Sequence, residues 1–519
     1  MSSVKPPRGL SAYATVRLDW VINVCGLNDT AIPSTKIASN HSVHPMKPPH
    51  PFMPDTPHSN RTSPASCSHS SAPAEGRQLT YSGWNHELDN NENFSRDGAF
   101  ICYDTRETHG PGIEHSTTIE VLELATGREI VIYEPAEIAF GPAAAPGVAA
   151  VSFNPAAMEA AFIHGPLVAE VPTRGPYGWP NRTGAKVTLS SEVVMREGRW
   201  RMLPDGAYAL SWIDARDIAV DRDTTPGAHR GGTHRHEFCG SGRRLGFTYD
   251  DILRPEYGRT VAYLEVHPSA PDPASHYFGV VVPVVPKTRA RPGDIVKAYA
   301  DSWVDPAGTM RAFIGLVCED DAPSWQECLF VADIPDEVDI TTAIAGNRQR
   351  YPSPPTGITL RRMTHHWAGG IVRGSPEGGR IAYFGQDDQG VKQVFIVAAD
   401  GGDRHPDPAK RPQQATFLPQ GTRSGLRWFP DGEHILCVSE GGLVETCVAP
   451  GTQFGRSTFL TAHGDGIDRY APAVSPDGAI IVYNRLIETR DTNGHRMTNY
   501  AGKDFSQIFV LTKVEGGWQ

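Results

Sequence analysis

The chain has neither an excess of positive charge nor a long hydrophobic run. It contains 48 Lys and Arg against 59 Asp and Glu, so its formal net charge is -11. Nucleic-acid binding needs clustered cations that neutralise phosphates, so this balance argues against nucleic acid as a partner. No apolar run reaches the roughly 18 residues of a membrane-spanning helix, so we expect no membrane span. The partners that remain are a small-molecule or oligosaccharide ligand, with a protein partner left open.

Cysteines are sparse, and the signatures of several enzyme classes are missing. The eight cysteines form no C-x-x-C motif and are too few for a disulfide scaffold in a chain of 519 residues. Reduced thiols are therefore favoured, although Cys437 and Cys447, like Cys318 and Cys328, have a spacing that allows a hairpin disulfide. There is no G-x-S-x-G, P-loop or H-E-x-x-H motif. These absences argue against the hydrolases and nucleotide-binding enzymes that such motifs define.

Residues 1–76 differ in composition from the rest of the chain. They are rich in Pro, Ser and His and have almost no periodic apolar pattern. Such a segment cannot bury enough apolar surface to offset its chain entropy, which predicts a disordered N-terminal leader. Its one apolar stretch, WVINVCGL, is short and follows Asp19, so it makes a poor signal peptide. We therefore favour a cytoplasmic over a secreted or periplasmic location, with residues 77–519 as a single domain.

The rest of the chain predicts an all-β fold built from repeats. A strand ends in a turn such as Ser-Pro-Asp-Gly, and a second apolar strand follows. Proline presets φ in such a turn, aspartate caps it and glycine accepts a positive φ. Repeated antiparallel units of this kind build a β-propeller. The sequence shows six copies: Asn93–Arg106, Val151–Gly165, His236–Asp251, Val372–Asp388, Leu426–Gly442 and Ala473–Arg485.

The gap between Asp251 and Val372 has room for at least one more blade, containing Gly279–Val285 or Met310–Asp321. Seven blades are therefore expected, with six or eight as alternatives. The turns SPDG, FPDG and SPEGG resemble the WD40-like repeats of the TolB propeller. The stretches FIHGP, HRGGTHRHEF and GFTYDD look like an uncharacterised family of bacterial TolB-like propellers. This resemblance implies the fold but no particular reaction.

Polar residues enter the predicted innermost strands, which line the central channel of a propeller. Among them, His234 and His236 stand two apart in RGGTHRHEF. On a regular strand such residues share a face, so the pair could bind a divalent metal (Mn, Zn or Ni) with His366 or His86 as a third ligand. The alternative is a pair of channel histidines that bond to backbone carbonyls or water.

The fold also resembles that of propeller polysaccharide lyases, including the oligogalacturonate and ulvan lyases. β-Elimination at a uronate needs a group that neutralises the carboxylate, a base and an acid. The inventory for these catalytic roles is Arg230, His86, His234, Tyr249 and Tyr470. The predicted substrate-binding residues are Trp84, Asn85, His164, Trp367 and Arg469. The chain is thus predicted to be a carbohydrate-active propeller, and a non-catalytic TolB-like propeller that binds a protein or peptide is the alternative.

Overall fold

The first strands already pair with distant parts of the chain. The computed structural model describes residues 74–88, 91–107, 112–320, 324–515 and 517–519. Within them the Ala74 N–H donates to the Leu460 carbonyl at 3.0 Å. Strand β1 (Arg77–Gln78) then joins the last blade. Residues 1–73 of the predicted leader lie outside the described residues, so the division at residue 76 stays a prediction.

The first half of the chain forms three antiparallel blades. In the first blade, bridges from Glu87 and Phe94 place an irregular innermost segment beside the sheet. Its strands are β2 (Phe100–Asp104), β3 (Ile119–Glu123) and β4 (Arg128–Tyr133). The second blade has β5 (Val148–Phe153), β6 (Glu159–His164), β7 (Thr183–Thr188) and β10 (Leu210–Trp212). Between β7 and β10 the chain forms a hairpin of β8 (Val193–Arg196) and β9 (Arg199–Met202), which extends the sheet of the first blade. The third has β11 (Gly231–Phe238), β12 (Arg244–Asp251), β13 (Thr260–Val266) and β14 (His276–Val280).

Four further blades complete the seven-bladed propeller, which confirms the predicted fold class. The fourth blade, β15 (Ile295–Trp303), β16 (Met310–Cys318), β17 (Trp325–Asp333) and β18 (Thr359–Arg362), fills the gap between the visible repeats. The fifth has β19 (Ala368–Gly374), β20 (Arg380–Gln386), β21 (Lys392–Ala398) and β22 (Gln413–Gln414), and the sixth has β23 (Arg427–Trp428), β24 (His434–Ser439), β25 (Gly442–Cys447) and β26 (Ser457–Phe459). The seventh has β27 (Tyr470–Val474), β28 (Ile480–Ile487), a hairpin of β29 (Thr489–Arg490) and β30 (Arg496–Met497), β31 (Phe505–Val514) and β32 (Gly517–Trp518).

The ring is closed and its blades are tied together by strand pairing. β1 pairs antiparallel with β31, so the two ends of the propeller share one sheet. β9, from the connection between two strands of the second blade, pairs in parallel with β4 of the first. Helical structure in the described part of the chain is limited to α1 (Val171–Arg174) and short 3₁₀ turns: Ile113–His115, Gly141–Ala143, Val168–Glu170, Trp179–Asn181, Pro204–Gly206, Lys287–Arg289, Ile340–Thr342 and Pro408–Lys410.

The hydrophobic core lies between neighbouring blades. One cluster joins Cys102 and Val121 of the first blade to Val148 and Phe162 of the second, all fully buried. All six cysteines in the described residues are free thiols, as expected. Because every blade runs from the innermost strand outwards, the innermost strands begin at one face of the ring and end at the other. We name the first the entry face, and the second, which carries the Ser-Pro-Asp-Gly turns, the turn face.

Each innermost strand is interrupted near its middle by a residue with positive φ. The pairing of β11 with β12 shifts register between His234 and Glu237, where Arg235 has a φ of 61°. Bulges of this kind re-aim side chains and break the alternation of a strand. The equivalent residues of the other blades are Glu92, Ala150, Ala300, Gly370, Gly425 and Ala471.

Candidate functional site

A polar cluster surrounds His234, which lies near the middle of β11, just before the bulge at Arg235. Arg182, which directly precedes β7, donates from Nη1 to His234 Nδ1 at 2.5 Å. The same guanidinium donates from Nε to the Tyr177 hydroxyl at 2.8 Å and lies over the Tyr177 ring at 5.4 Å. Among the described residues, Arg182 has no carboxylate partner. A cation and an imidazole therefore meet at the channel with no negative charge to balance them.

The surroundings of His234 keep its ring neutral. Burial and then the nearby guanidinium of Arg182 lower the pKa of His234 well below its ordinary value. Because arginine only donates, the bond from Arg182 to Nδ1 fixes the tautomer that carries its proton on Nε2. His234 thus presents an N–H donor beside a guanidinium, which is a good arrangement for binding a carboxylate.

Further arginines lie near His234. Arg235, Arg259 and Arg106 also disfavour protonation of His234. Two of them have acidic partners: Arg259 pairs with Asp250 at 2.7 Å, and Arg106 pairs with Asp104 at 2.6 Å. Together with Arg182, these guanidiniums surround His234 and form what we call the basic region, although the whole chain is acidic.

The prediction that His234 and His236 lie on one regular face is wrong, because the bulge at Arg235 interrupts the strand. His234 contacts Arg182, whereas His236 is fully buried with its Nε2 3.7 Å from Asp214. His366 contacts Asp403, which follows the third strand of the fifth blade, at 3.3 Å. The structure does not bring the three predicted metal ligands together.

Two predicted catalytic residues of the third blade are fully buried. The Arg230 guanidinium pairs with Asp251 at 2.8 Å and donates to the Arg350 carbonyl at 2.9 Å. Tyr249 belongs to the hydrophobic cluster of that blade, and burial raises the pKa of its phenol. Both side chains hold the blade and its connection in place and are closed to solvent.

The predicted residues near the start of the propeller lie between the first and last blades. His86 is fully buried, with Nδ1 3.1 Å from the Ser506 carbonyl and Nε2 3.4 Å from Glu129 Oε2. The buried Asn85 amide donates to the Arg106 carbonyl at 2.8 Å. The guanidinium carbon of Arg199 lies over the Trp84 ring, 4.3 Å from the ring centroid. These contacts join the blades, away from the basic region around His234.

The other predicted residues are divided between packing and the channel. His164 is fully buried against the Tyr133 hydroxyl at 2.9 Å, and burial lowers the pKa of His164 to about 4. Arg469 is buried and pairs with Asp465 at 2.9 Å. Two half-buried residues stay at the entry face: Trp367, which donates to Glu327 at 3.0 Å, and Tyr470, whose hydroxyl lies 3.1 Å from Glu87.

The residues that complete the basic region lie in the connection between β6 and β7. This connection supplies Tyr177, Trp179 and Arg182. It packs directly on β11, because a Cβ at Gly232 would stand 1.7 Å from the Trp179 carbonyl oxygen. Trp179 is 48% exposed beside His234's strand and offers a face for stacking. The sequence signal was the run Y-G-W-P-N-R after FIHGP, an aromatic pair followed by an arginine.

At the turn face, the channel widens into a cavity of about 400 Å³ to which all seven blades contribute. Its charged lining residues are Glu92, Arg96, Glu237, Asp305, Arg373 and Arg427. Glu237 is held in place, since its carboxylate accepts from Ser302 at 2.8 Å and pairs with Arg311 at 3.0 Å. None of these charged residues was predicted as a site residue, because they lie near the ends of innermost strands, where the sequence pattern indicates only turns.

Asp214 forms a separate buried cluster that we assign to stability. Its carboxylate accepts from the Gly184 N–H at 2.8 Å and lies 3.4 Å from His229 and 3.7 Å from His236. Burial alone would raise the pKa of Asp214, but the two histidines outweigh it and lower that pKa below its usual value.

We therefore expect Asp214→Asn to lower the free energy of unfolding by about 3 kcal/mol at neutral pH, because a buried ionic contact is broken. Because the pKa of Asp214 is lower in the folded than in the unfolded protein, its ionised carboxylate stabilises the fold at pH values above the unfolded pKa of about 3.9. This stabilisation is lost as the pH falls through the pKa of the folded state. The gap between wild type and variant, measured by urea denaturation, should shrink below about pH 4. A gap that stays constant down to the acid transition would contradict this role for Asp214.

The comparisons with known proteins leave the activity open. A family model described as "Protein of unknown function (DUF3748)" matches residues 147–260, which include β11 and His234. The uncharacterized protein YidR of Escherichia coli (strain K12) is 28% identical over 432 residues, covering 78% of this chain and 93% of YidR.

Solved propellers are similar at much lower identity. An oligogalacturonate lyase in complex with manganese is 11% identical with a TM-score of 0.45, covering 86% of this chain and 96% of the lyase. TolB from Acinetobacter baumannii is 11% identical with a TM-score of 0.34 over 82% of both chains. The chain spans only 51% of a prolyl endopeptidase that matches with 11% identity and a TM-score of 0.41 over 85% of this chain. These likenesses concern the fold alone.

The manganese of that lyase has no matching ligand set in the described part of this chain. No group of three His, Cys, Asp or Glu side chains there could hold a metal ion. At the predicted position, the Arg182 guanidinium already occupies His234 Nδ1, and its charge repels a cation. We derive no chemical step through a metal. Among the described helices, none is both long and apolar enough to cross a membrane.

Proposed function

We propose that the entry end of the channel binds the carboxylate of a uronate-containing oligosaccharide and that the protein cleaves the sugar by β-elimination. One observation carries this proposal: Arg182 has no carboxylate partner among the described residues, and it bonds directly to the neutral His234. A substrate carboxylate would supply the missing negative charge. A bidentate pair with a guanidinium is the strongest hydrogen-bonded arrangement available to it.

Binding would change the state of His234. In the free protein, the Nδ1 lone pair of His234 accepts from Arg182 and cannot accept a proton from a substrate. A substrate carboxylate that takes over the guanidinium releases that lone pair. His234 then becomes a general base only when an acidic sugar is bound. The exposed ring of Trp179 on the neighbouring connection offers a face on which a sugar ring can stack.

The elimination balances with groups of this chain and water. His234 Nδ1 accepts the proton from the carbon next to the carboxylate, whose developing negative charge Arg182 stabilises. The electron pair forms a carbon–carbon double bond, and the bond to the glycosidic oxygen breaks. That oxygen takes up a proton from the Tyr470 hydroxyl or from water. The products are an unsaturated uronate and a shortened sugar.

The test is an ultraviolet assay for the unsaturated product, with oligogalacturonate and other uronate oligosaccharides as substrates. We expect the absorbance of the unsaturated product to increase when the substrate has free uronate carboxylates. It should not increase with the methyl esters, because an ester cannot displace Arg182 from His234. The neutral ring is the active form, and its lowered pKa keeps it neutral below pH 6.5. The rate should therefore persist below about pH 6.5, the ordinary histidine value, and fall only in more acidic solution. An acid limb centred at or above that value would contradict the assigned base.

A second function is favoured by the same bond between Arg182 and His234. Arg182 and the Nε2–H of His234 can both donate to a carboxylate without any proton transfer. In this alternative, the propeller binds a carboxylate on a protein or peptide partner, such as a chain terminus, without chemistry. Tight binding of a uronate trisaccharide or an acidic peptide with no unsaturated product would favour this alternative over the lyase.

A further inference from the structure

The turn-face cavity contains a carboxylate without a partner. Glu92 lies in the innermost segment of the first blade with a φ of 53°, a conformation that is unfavourable for a non-glycine residue. Among the described residues, its carboxylate makes no hydrogen bond or ion pair, and its side chain lines the cavity. Strained residues of this kind cluster at functional sites. Most of the equivalent bulge residues in the other blades are alanine or glycine.

The same cavity contains a guanidinium without an acidic partner. Arg373 donates from Nη1 to the Val372 carbonyl at 2.8 Å, and its buried Nε has no hydrogen-bond partner. No ion pair joins Arg373 to a carboxylate in the described part of the chain. Burial and then the nearby Arg427 lower the pKa of Arg373 to about 9. An anion that enters the cavity would therefore supply Arg373 with a hydrogen-bond acceptor and a compensating negative charge.

Neighbouring groups do not neutralise these two charges. Glu237 is already engaged by Arg311 at 3.0 Å and by Ser302 at 2.8 Å. Arg311 pairs in turn with Asp301 at 2.6 Å. Burial and then the negative charge of Glu237 raise the pKa of Glu92. The positive charges of Arg427 and Arg373 oppose that rise without forming an ion pair with Glu92. Glu92 and Arg373 remain as opposite charges in one cavity that do not pair with each other.

We propose that the turn-face cavity is a binding site for a small zwitterion, an amino acid or short peptide, whose ammonium group pairs with Glu92 and whose carboxylate pairs with Arg373. A ligand with both charges satisfies both groups at once, whereas a ligand with one charge leaves the other group unpaired. The cavity volume of about 400 Å³ lies in the range of small-molecule sites. This site is separate from His234 and does not depend on the elimination chemistry.

The experiment is equilibrium dialysis of the full chain against a pool of L-amino acids and dipeptides, with mass spectrometric detection. We expect the wild type to retain at least one member of the pool. The N-acetylated and the C-amidated forms of that member should bind roughly tenfold or more weakly, since each loses one charged hydrogen bond. Glu92→Gln and Arg373→Met should weaken binding of the unmodified member by a similar factor.

Two controls separate this site from other effects. Glu337→Gln removes an exposed carboxylate outside the cavity lining and should leave binding unchanged. His234→Ala should also leave it unchanged, so this proposal and the lyase can fail independently. The proposal is overturned if the folded wild type retains no member of the pool. It is equally overturned if blocked and free forms bind alike, or if Glu92→Gln binds as the wild type does.

Discussion

Replacing His234 with alanine should reduce kcat/KM for uronate oligosaccharides by about 10² to 10⁴, the usual contribution of a general base. His234 is half-buried, and the one side-chain hydrogen bond that holds it comes from Arg182. Losing one such bond costs about 1 kcal/mol, so the thermal midpoint should barely move. The measurement is the ultraviolet assay on wild type and variant, together with thermal unfolding of both.

His366→Ala is the matched control, because this histidine is about half exposed, contacts Asp403 and lies outside the channel. It should retain full activity. Equal losses in the two variants would remove His234 from the chemistry. A His234→Ala protein that does not fold would show that the imidazole is structural, and the proposed site would fail.

The Arg311→Met variant should lose about 3–5 kcal/mol of unfolding free energy, because two buried carboxylates lose their counter-ion. Arg311 is 1% exposed and pairs with Glu237 at 3.0 Å and Asp301 at 2.6 Å. It also lies 4.6 Å from the Trp303 ring. The Arg311 guanidinium packs against Gly246 and has room there only because this residue has no Cβ, which would stand 1.9 Å from the guanidinium carbon. Urea denaturation of wild type and variant measures the loss.

Arg243→Met is the control variant with which the stability loss of Arg311→Met is compared. Arg243 pairs with the exposed Asp336 at the surface, where an ion pair contributes about 1 kcal/mol or less. The two variants should therefore differ by several-fold in their loss of stability. Similar losses would mean that Glu237 and Asp301 are not buried charges that require Arg311.

The fold could be predicted because its signals are local. A Pro-Asp-Gly turn needs only three neighbouring residues, and the copies at residues 430–432 and 476–478 follow the innermost strands of the sixth and seventh blades. The fourth blade escaped direct detection because β15 ends in Trp303-Val-Asp-Pro rather than Ser-Pro-Asp-Gly. Its presence was still predicted from the length of chain between the visible copies, and β16 covers most of the stretch that was named.

The candidate site could be predicted only in part, because it depends on contacts between blades. His234 was identified from its place in the strand, but its partner Arg182 lies 52 residues away, at the end of a connection of the previous blade. The bulge at Arg235 is formed by backbone conformation and leaves no composition signal, so the shared face of His234 and His236 was a false expectation. Arg230 and Tyr249 are fully buried and therefore lie outside the site. Their burial could not be predicted, because the sequence of a strand does not show which neighbouring blade covers a polar residue.

The most direct test of the central claim is calorimetric titration of a saturated uronate trisaccharide and its methyl ester into the wild type and into Arg182→Gln. The account predicts that the acid binds the wild type and that its affinity falls at least tenfold in the ester or in Arg182→Gln, since both remove the charged hydrogen bonds. Equal binding of acid and ester, or no binding of the acid to the folded wild type, would contradict carboxylate recognition at His234.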